Sequence, residues 1–186
     1  MNIEERYLQE KFFSRPTIAV AKSLLGKYLV RKWRGKIISA MITEVEAYDG
    51  LNDKASHASR GMTPRNIVMF GPAGRWFVYF TYGMHFMLNA VTGKEGYPAA
   101  ILIRGVEGIN GPGRVTKFFH IDKKLNSKPI SKKSGLWIED RLARLSFNEG
   151  GGVKIKPSQI KKSPRIGVDY AGPVWAKKCY RFYVDK

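Results

Sequence analysis

Cysteine is almost absent from the sequence, since Cys179 is the only one among 186 residues. An internal disulfide is therefore excluded, which argues against a disulfide-stabilised secreted fold and favours a reducing compartment. The apolar and aromatic residues around Cys179 favour a packed thiol over a nucleophile. Histidine is also scarce, and His57, His85 and His120 lie far apart in a chain without paired cysteines. A structural zinc site is not expected.

Long apolar runs are missing as well. No uncharged apolar run reaches about 18 residues, and the first twelve residues, MNIEERYLQEKF, contain acids and lack a signal-peptide core. We expect an intracellular protein without membrane association, cytoplasmic (nucleoid) in a prokaryote or nuclear in a eukaryote. A chain of this length can bury close to ~70% of its unfolded surface. A single domain over residues 1–186 that folds as a monomer is therefore expected.

Negative charge is the third shortage. The sequence has 15 Asp and Glu against 33 Lys and Arg, a formal net charge of +18, and the basic residues, Arg31 and Lys178 among them, are spread along the chain instead of sitting in one tail. A basic globular surface gains affinity for nucleic acid by releasing the counterions of the phosphates. Nucleic acid is the partner that this charge favours, and a lysine-rich surface that serves only solubility is the alternative.

The few acids concentrate in one stretch, TEVEAYDGLNDKASH, residues 43–57, which contains four of them. Runs 27–33 and 36–48 are typical of strands, and Arg34-Gly35 between them predicts a hairpin. Strand alternation places Glu44, Glu46 and Tyr48 on one face together with Ile42, and Thr43, Val45 and Ala47 on the other. Two neighbouring carboxylates can be solvated surface charges or a catalytic pair, and the pattern alone leaves both readings open.

The remaining patterns indicate an α/β (α+β) domain with a curved, mostly antiparallel sheet, flanking short helices and a protruding β-hairpin. Residues 122–135, rich in Lys and Ser, are expected to form a surface loop. The other predicted elements are a helix over 16–26, paired strands over 75–81 and 85–91, a strand over 99–107, a helix after the turn at 109–113, and strands at 136–140 and 181–184.

Two turns attract attention in a basic protein. Tyr82-Gly83 forms the tip of the predicted hairpin, where Asn or Asp would be usual. The tyrosine either folds back onto the sheet or acts as a wedge that enters a base stack. The run INGPGRVTKFFHI exposes backbone N–H groups that could receive a phosphate, assisted by Arg114 and Lys117. It lacks the spacing of a nucleoside-triphosphate loop.

Several runs, taken together, resemble the alkyladenine (3-methyladenine) DNA glycosylase family in order and spacing. They are EVEAY with a histidine eleven residues after Glu46, TPRN, MF, YFTYGMHF with LN, ILIR, NGPGR with TK, and RIGV, YAG and RFYV near the end. The resemblance covers the chain from the first helix to Val184. It departs from longer relatives after Arg104, where GVEGIN replaces a helical stretch.

The resemblance implies a monofunctional enzyme that acts on double-stranded DNA without a metal or other cofactor. Such an enzyme flips an alkylated or deaminated purine (3-methyladenine, 7-methylguanine, hypoxanthine or ethenoadenine) out of the duplex, because the reacting atoms are inaccessible inside the stack. It then hydrolyses the N-glycosidic bond and leaves an abasic site for base excision repair. A noncatalytic nucleic-acid-binding protein on the same scaffold and an RNA-acting enzyme are the competing hypotheses.

The same resemblance implies roles for individual residues. Glu46 corresponds to the general base that activates water, Arg104 to the arginine that positions this water and a phosphate, and Ile166 to the residue whose main-chain carbonyl completes the water site. Tyr48, His57 and Tyr79 correspond to the aromatic walls around the flipped base. The last set acts on selectivity and on the DNA: Asn89 crowds the 2-amino group of guanine, Tyr82 fills the gap in the duplex, and Met84 supports it.

Overall fold

The long strand β2 organises the molecule. In the computed structural model, which describes residues 7–141 and 155–184, the helices are α1 (Glu10–Phe13), α2 (Thr17–Leu24), α3 (Pro112–Phe118) and α4 (Gly172–Ala176). The strands are β1 (Tyr28–Trp33), β2 (Lys36–Asp49), β3 (Trp76–Thr81), β4 (His85–Val91), β5 (Ala99–Val106), β6 (Ile109–Asn110), β7 (Leu136–Glu139), β8 (Ile160–Ser163) and β9 (Arg181–Val184).

These strands form one curled antiparallel sheet in the order β3-β4-β5-β2-β1-β7. Strand β6 pairs with the end of β5, and β8 pairs with β9, which in turn pairs with β2. The expected α+β class with short helices around a curved antiparallel sheet is confirmed. The sequence reading omitted β8, whose IKKS sequence is too polar to resemble a buried strand.

The first half of β2 pairs with β1 and the second half with β5 and β9. The β1–β2 turn is the predicted Arg34-Gly35 pair, and both residues have positive φ, 47° and 79°. Such a two-residue turn matches the right-handed twist of the strands it joins. The hairpin therefore forms for the local reason that the sequence indicates.

Between its halves, β2 departs from strict alternation. The register with β5 shifts between Ile42 and Glu44 and again between Glu44 and Val45. As a result Ile42 packs into the same core as Val45 and Ala47. The prediction that Ile42 shares a face with Glu44 was wrong, because a β-bulge inserts an extra residue and reverses the side-chain parity.

The main core lies between one face of the sheet and helices α2 and α3, and the β3 residues Trp76 and Val78 contribute to it. On the other face of β3, Phe77 packs with the partly buried Tyr79, in keeping with the alternation of side chains along a strand. This second face of β3 opens toward the candidate site.

The segment 122–135 is more ordered than a simple surface loop. Leu125 and Ile130 are buried in the core, and the Trp76 backbone N–H donates to the Lys128 carbonyl at 2.9 Å. The segment is thus packed along the edge of β3. Cys179 is exposed, so the expectation of a packed thiol was wrong.

Candidate active site

Glu46 is a fully buried carboxylate in the second half of β2. Its Oε1 accepts a hydrogen bond from the Ile166 backbone N–H at 2.8 Å, and its Oε2 accepts one from the Tyr48 hydroxyl at 3.0 Å. Arg104 Nε lies 3.7 Å from Oε1. Burial raises the pKa of Glu46, although Arg104 and these two hydrogen bonds act in the opposite direction. The group is thus an ionisable base whose affinity for a proton exceeds that of an ordinary glutamate.

Arg104 reaches this carboxylate because of the second register shift. The pairs Glu44↔Gly105 and Val45↔Ile103 leave Arg104 as the extra residue of β5. A bulge of this kind redirects a side chain, here toward the glutamates of β2. Arg104 Nε lies 2.9 Å from Glu44 Oε1, so its principal partner is Glu44.

Glu44 itself is held by two arginines, since Arg181 Nε donates to the same Oε1 at 2.5 Å. Gly105 makes room for this carboxylate, because a Cβ there would lie 3.2 Å from Glu44 Oε2 and 3.0 Å from its Cβ. The two carboxylates of the strand therefore differ in environment. Glu44 is an ion-pair anchor for Arg104, whereas Glu46 is the buried group with a perturbed pKa.

Three aromatic rings stand beside Glu46. The rings of His57 and Tyr79 contact each other with centroids 4.6 Å apart at 56°. Tyr48 is carried by the same strand as Glu46, and the raised pKa of its hydroxyl follows first from burial and then from the charge of Glu46. The structure thus brings the predicted walls and the predicted base into one site.

His57 is disposed to be a neutral wall. Removal of water by packing against Phe77 and Tyr79, followed by the positive charge of Arg65, lowers the pKa of His57. A neutral imidazole does not repel a positively charged ligand, and its ring can still stack on a planar one.

Asn89 lies on β4 directly opposite Phe77. Its side chain is buried, and its Nδ2 donates to the Phe77 carbonyl at 3.1 Å. This hydrogen bond fixes the orientation of the Asn89 amide next to Phe77, which packs against Tyr79. A fixed polar group is a requirement for rejecting a substrate by an adverse contact.

The hairpin formed by β3 and β4 ends in exposed side chains. Tyr82 is 80% exposed and Met84 68% exposed, and Tyr82 has a φ of 54°, a conformation that non-glycine residues rarely adopt. The Tyr82 side chain therefore does not fold back onto the sheet. Arg65 braces the hairpin by donating to the Phe80 carbonyl at 3.0 Å, and its guanidinium lies 5.0 Å from the Tyr79 ring centroid.

Helix α3 supports the other side of the hairpin. Gly113 has to be small, because a Cβ there would lie 2.7 Å from Cγ of His85, the first residue of β4. Thr116 Oγ1 donates to the Phe86 carbonyl at 2.9 Å. Arg114 and Lys117 are exposed on the same short helix. The structure thus places the two predicted phosphate ligands near the hairpin and apart from the aromatic cluster.

Residues 11–110 and 106–186 match the family model described as methylpurine-DNA glycosylase. The chain is 42% identical to a Methanocella arvoryzae protein (95% of this chain, 91% of that one) and 42% identical to a protein of Legionella pneumophila strain Corby (96% and 94%). A Myxococcus xanthus protein is 38% identical (96% and 90%). All three carry the provisional name 3-methyladenine DNA glycosylase. The chain belongs to the methylpurine-DNA glycosylase family.

Membership of this family makes DNA the substrate polymer and confirms the predicted resemblance. Residues 7–141 and 155–184 contain no group of three or more His, Cys, Asp or Glu side chains that could hold a metal ion. Over the same residues, no helix has the length and apolarity needed to cross a membrane. The absence of cofactors stays a prediction.

An ion pair that the sequence analysis missed lies directly behind this family site. Arg165 and Asp53 are both buried, with Nη1 2.5 Å from Oδ2 and Nη2 2.8 Å from Oδ1. The partners are 112 residues apart in sequence, so no local pattern could join them. Asp53 nevertheless belongs to the acidic stretch 43–57, which was singled out for its charge.

Asn66, in the TPRN run, was also missed as a structural residue. Its Nδ2 donates to the carbonyls of His57 and Gly61 at 2.9 Å each, and its Oδ1 accepts from the Thr63 N–H at 2.7 Å. A buried asparagine with these partners fixes the loop that carries His57. The run thus positions the loop that brings His57 to the aromatic cluster.

A cavity of about 560 Å³ has His57 in its lining. Its lining includes the cationic side chains Lys54 and Arg60 and the ring of Tyr170. Tyr170 donates its hydroxyl hydrogen to the Ala55 carbonyl at 2.9 Å, which holds the ring at the mouth of the cavity. The cavity shares the His57 wall with the aromatic cluster and extends the site with positive charge.

Proposed function

We propose that this chain is a monofunctional glycosylase that flips alkylated or deaminated purines out of duplex DNA and hydrolyses their N-glycosidic bond. The observation that carries the proposal is the buried Glu46 carboxylate, held by Tyr48, Ile166 and Arg104 beside the His57 and Tyr79 rings. Family membership supports the class of reaction. The abasic product would enter base excision repair inside the cell, at the nucleoid if the host is prokaryotic.

In the proposed reaction Glu46 accepts a proton from a water molecule as this water attacks C1′ and the purine departs with the bonding electrons. A positioned general base contributes on the order of 10²–10⁴ in rate. The carboxylate also stabilises the positive charge that develops on the sugar, as in other glycosidic cleavages. Arg104 and the Ile166 main chain, which we assign to holding this water, both approach Oε1 of the Glu46 carboxylate.

The aromatic rings Tyr48, His57 and Tyr79 are proposed to enclose the flipped base. Stacking of a base on an aromatic ring contributes about 1–3 kcal/mol, and a cationic alkylpurine gains an additional attraction to the electron-rich faces of the tyrosines. Asn89 is proposed to exclude guanine by crowding its 2-amino group. The lesion is therefore selected by its positive charge or by the absence of the 2-amino group that Asn89 would crowd.

The test of this function is single-turnover release of free base from duplexes that contain one hypoxanthine or one 7-methylguanine. We expect base release and an alkali-labile abasic strand with both duplexes, and neither product with an undamaged duplex of the same sequence. If the protein binds both lesion duplexes but releases base from neither, the noncatalytic binding protein becomes the better description. Faster action on lesions in single-stranded RNA would favour an RNA enzyme.

A prediction concerns pH. Since burial raises the pKa of Glu46, and since the base must be ionised to accept a proton, we expect the acid limb of the rate to lie above pH 4.5, the ordinary value. The groups that face this carboxylate are Arg104, Glu44 and Tyr48, and among them Glu44 also raises the pKa. The measurement is the single-turnover rate on 7-methylguanine between pH 4 and 8.

The choice of 7-methylguanine makes this pH profile interpretable. This nucleobase already carries a positive charge, so its departure needs no proton from the enzyme. The acid limb of the rate therefore reports the ionisation of Glu46 alone. A rate that remains constant down to pH 4.5 would contradict the assignment of Glu46. Retention of folded structure at each pH, measured by circular dichroism, is the control.

A second prediction concerns the hairpin tip. Because Tyr82 is 80% exposed and does not contact the core, Tyr82→Ala should leave the thermal stability unchanged. We expect it to reduce base release at least about tenfold while nonspecific duplex affinity changes less than about threefold, since an inserted side chain stabilises the unstacked duplex. Fluorescence of 2-aminopurine beside the lesion measures flipping directly.

Tyr97→Phe is a matched control for this hairpin variant, because it alters another partly exposed tyrosine, whose hydroxyl bonds Asp49 at 3.2 Å. It should leave flipping unchanged. An equal loss of nonspecific binding and flipping in Tyr82→Ala would assign Tyr82 to general DNA contact.

A further inference from the structure

The ion pair between Asp53 and Arg165 is more than a surface contact. Both side chains are buried, and the guanidinium donates two parallel hydrogen bonds to the carboxylate, at 2.5 and 2.8 Å. Taking two charges out of water is costly, and a buried pair of this kind often adds little net stability relative to apolar residues. The effect of this ion pair is therefore to be sought in how it positions the neighbouring groups.

The pair joins three pieces of the site. The Asp53 carboxylate accepts the backbone N–H groups of Asp49 and Ala55, each at 3.1 Å, so it fixes the turn that follows β2. Arg165 Nη1 also donates to the Ala47 carbonyl at 2.8 Å. The ion pair thus holds three segments together at one point. They are the end of β2, the loop that leads to His57 and the segment 164–167.

This point is adjacent to Glu46, Tyr48 and Ile166. Ala47 lies between Glu46 and Tyr48, and the Arg165 guanidinium is 4.8 Å from the Tyr48 ring centroid. The residue after Arg165 is Ile166, whose backbone N–H donates to Glu46 Oε1 at 2.8 Å. A change in the ion pair would consequently move the Ile166 N–H relative to the Glu46 carboxylate that it binds.

Building on the proposed glycosylase function, we propose that Asp53 and Arg165 are positioning residues that set the distance between Glu46, Ile166 and the Tyr48 ring. Neither side chain contacts the reacting atoms. A misplacement of about 1 Å in a catalytic group can cost on the order of 10² in rate. The ion pair therefore acts on the chemical step and leaves DNA affinity to other residues.

The primary test replaces the pair by a neutral one, Asp53→Asn with Arg165→Gln, in the full-length chain. Neutral partners leave no buried charge without a counter-charge, so the double variant is expected to fold. We expect the single-turnover rate on 7-methylguanine to fall on the order of 10²-fold while the Kd for the lesion duplex changes less than about threefold. The acid limb should move to higher pH, because the Ile166 hydrogen bond lowers the pKa of Glu46 and would be weakened.

Arg165→Lys provides a second variant that keeps the charge but loses the two-pronged geometry, and it should show the same separation of rate from affinity. The matched control is Lys27→Gln with Asp140→Asn, which neutralises another ion pair, 2.5 Å long, between the residue before β1 and the residue after β7. This control should retain the wild-type rate and pH profile. Thermal unfolding establishes which variants are folded.

A folded double variant with the wild-type rate and acid limb would overturn the inference, and so would a parallel loss of rate, affinity and melting temperature. Failure of both pair variants to fold would assign the pair to stability and overturn it as well. These outcomes are separate from failure of the proposed function, which is read from the wild-type protein. If the wild type releases no base, the glycosylase proposal fails before any variant is compared.

Discussion

Replacing Glu46 by Gln is expected to lower single-turnover base release at least about 100-fold and to leave duplex binding nearly unchanged. Glutamine has the shape of glutamate and can still accept the Ile166 N–H bond, but it cannot take a proton from water. Its amide can donate to the Tyr48 oxygen once the hydroxyl turns. The loss in rate would therefore measure base function and not a collapsed site.

The same substitution should not destabilise the protein. Because burial raises the pKa of Glu46 in the folded state, the folded protein binds this proton more tightly than the unfolded chain. The associated stability is fully present below the ordinary pKa and is lost as the pH rises through the raised pKa. At pH 7 the buried carboxylate is a cost, so Glu46→Gln should show an unchanged or higher melting temperature.

Glu107→Gln is a control for removing one carboxylate, since Glu107 is exposed after β5. It should have the wild-type rate. A Glu46→Gln protein that is folded, binds the lesion duplex and releases base within threefold of wild type would remove Glu46 from the mechanism. Glu44 is not a suitable control, because its removal would free Arg104 and Arg181 from their shared partner.

Salt is expected to weaken duplex binding by several orders of magnitude. A net charge of +18 implies that binding releases counterions from many phosphates, and a protein with 6–10 phosphate contacts loses about 10³–10⁵ in affinity between 50 and 200 mM salt. The measurement is Kd for an undamaged duplex over this range, plotted as log Kd against log salt. A flat dependence would contradict the basic-surface argument.

Four positions on two surfaces can localise this effect. If the cavity beside His57 receives the DNA backbone, Lys54→Ala and Arg60→Ala should each make the plot of log Kd against log salt less steep by about one. Arg114→Ala and Lys117→Ala test the predicted phosphate ligands of α3 in the same way. Lys11→Ala, at an exposed α1 residue, is the matched control and should leave the slope unchanged. A slope that is altered by none of the four site variants would place the principal phosphate contacts elsewhere.

Much of the fold could be predicted because its signals are local. The β1–β2 hairpin follows from Arg34-Gly35, and the two faces of β3 follow from alternation, which separates Trp76 from Phe77. The face of β2 failed at Ile42, since a bulge changes parity without a residue type that requires it. Gly105 inside a strand was the available signal of irregular pairing, and it adjoins the redirected Arg104.

The candidate site divides in the same way. Glu46, Tyr48 and His57 lie within one short stretch, so a motif could point to them, and the structure brings Tyr79 to the same place. Arg165 stands in the RIGV run, but its pairing with Asp53 could not be predicted, because the two residues are 112 positions apart in the sequence. In segment 122–135, the isolated apolar residues Leu125 and Ile130 were the signal that the lysines concealed.

The bulge at the centre of β2 separates the strand into two parts that pair with different strands. Its first part pairs with β1, and its second part carries the base and pairs with β5 and β9. A change of length or sequence in the β1–β2 hairpin can be absorbed at the irregular residues before it reaches Glu46. We therefore expect the β1–β2 turn to accept an inserted peptide, such as a purification or reporter tag, while the distance between Glu46 and Ile166 is preserved.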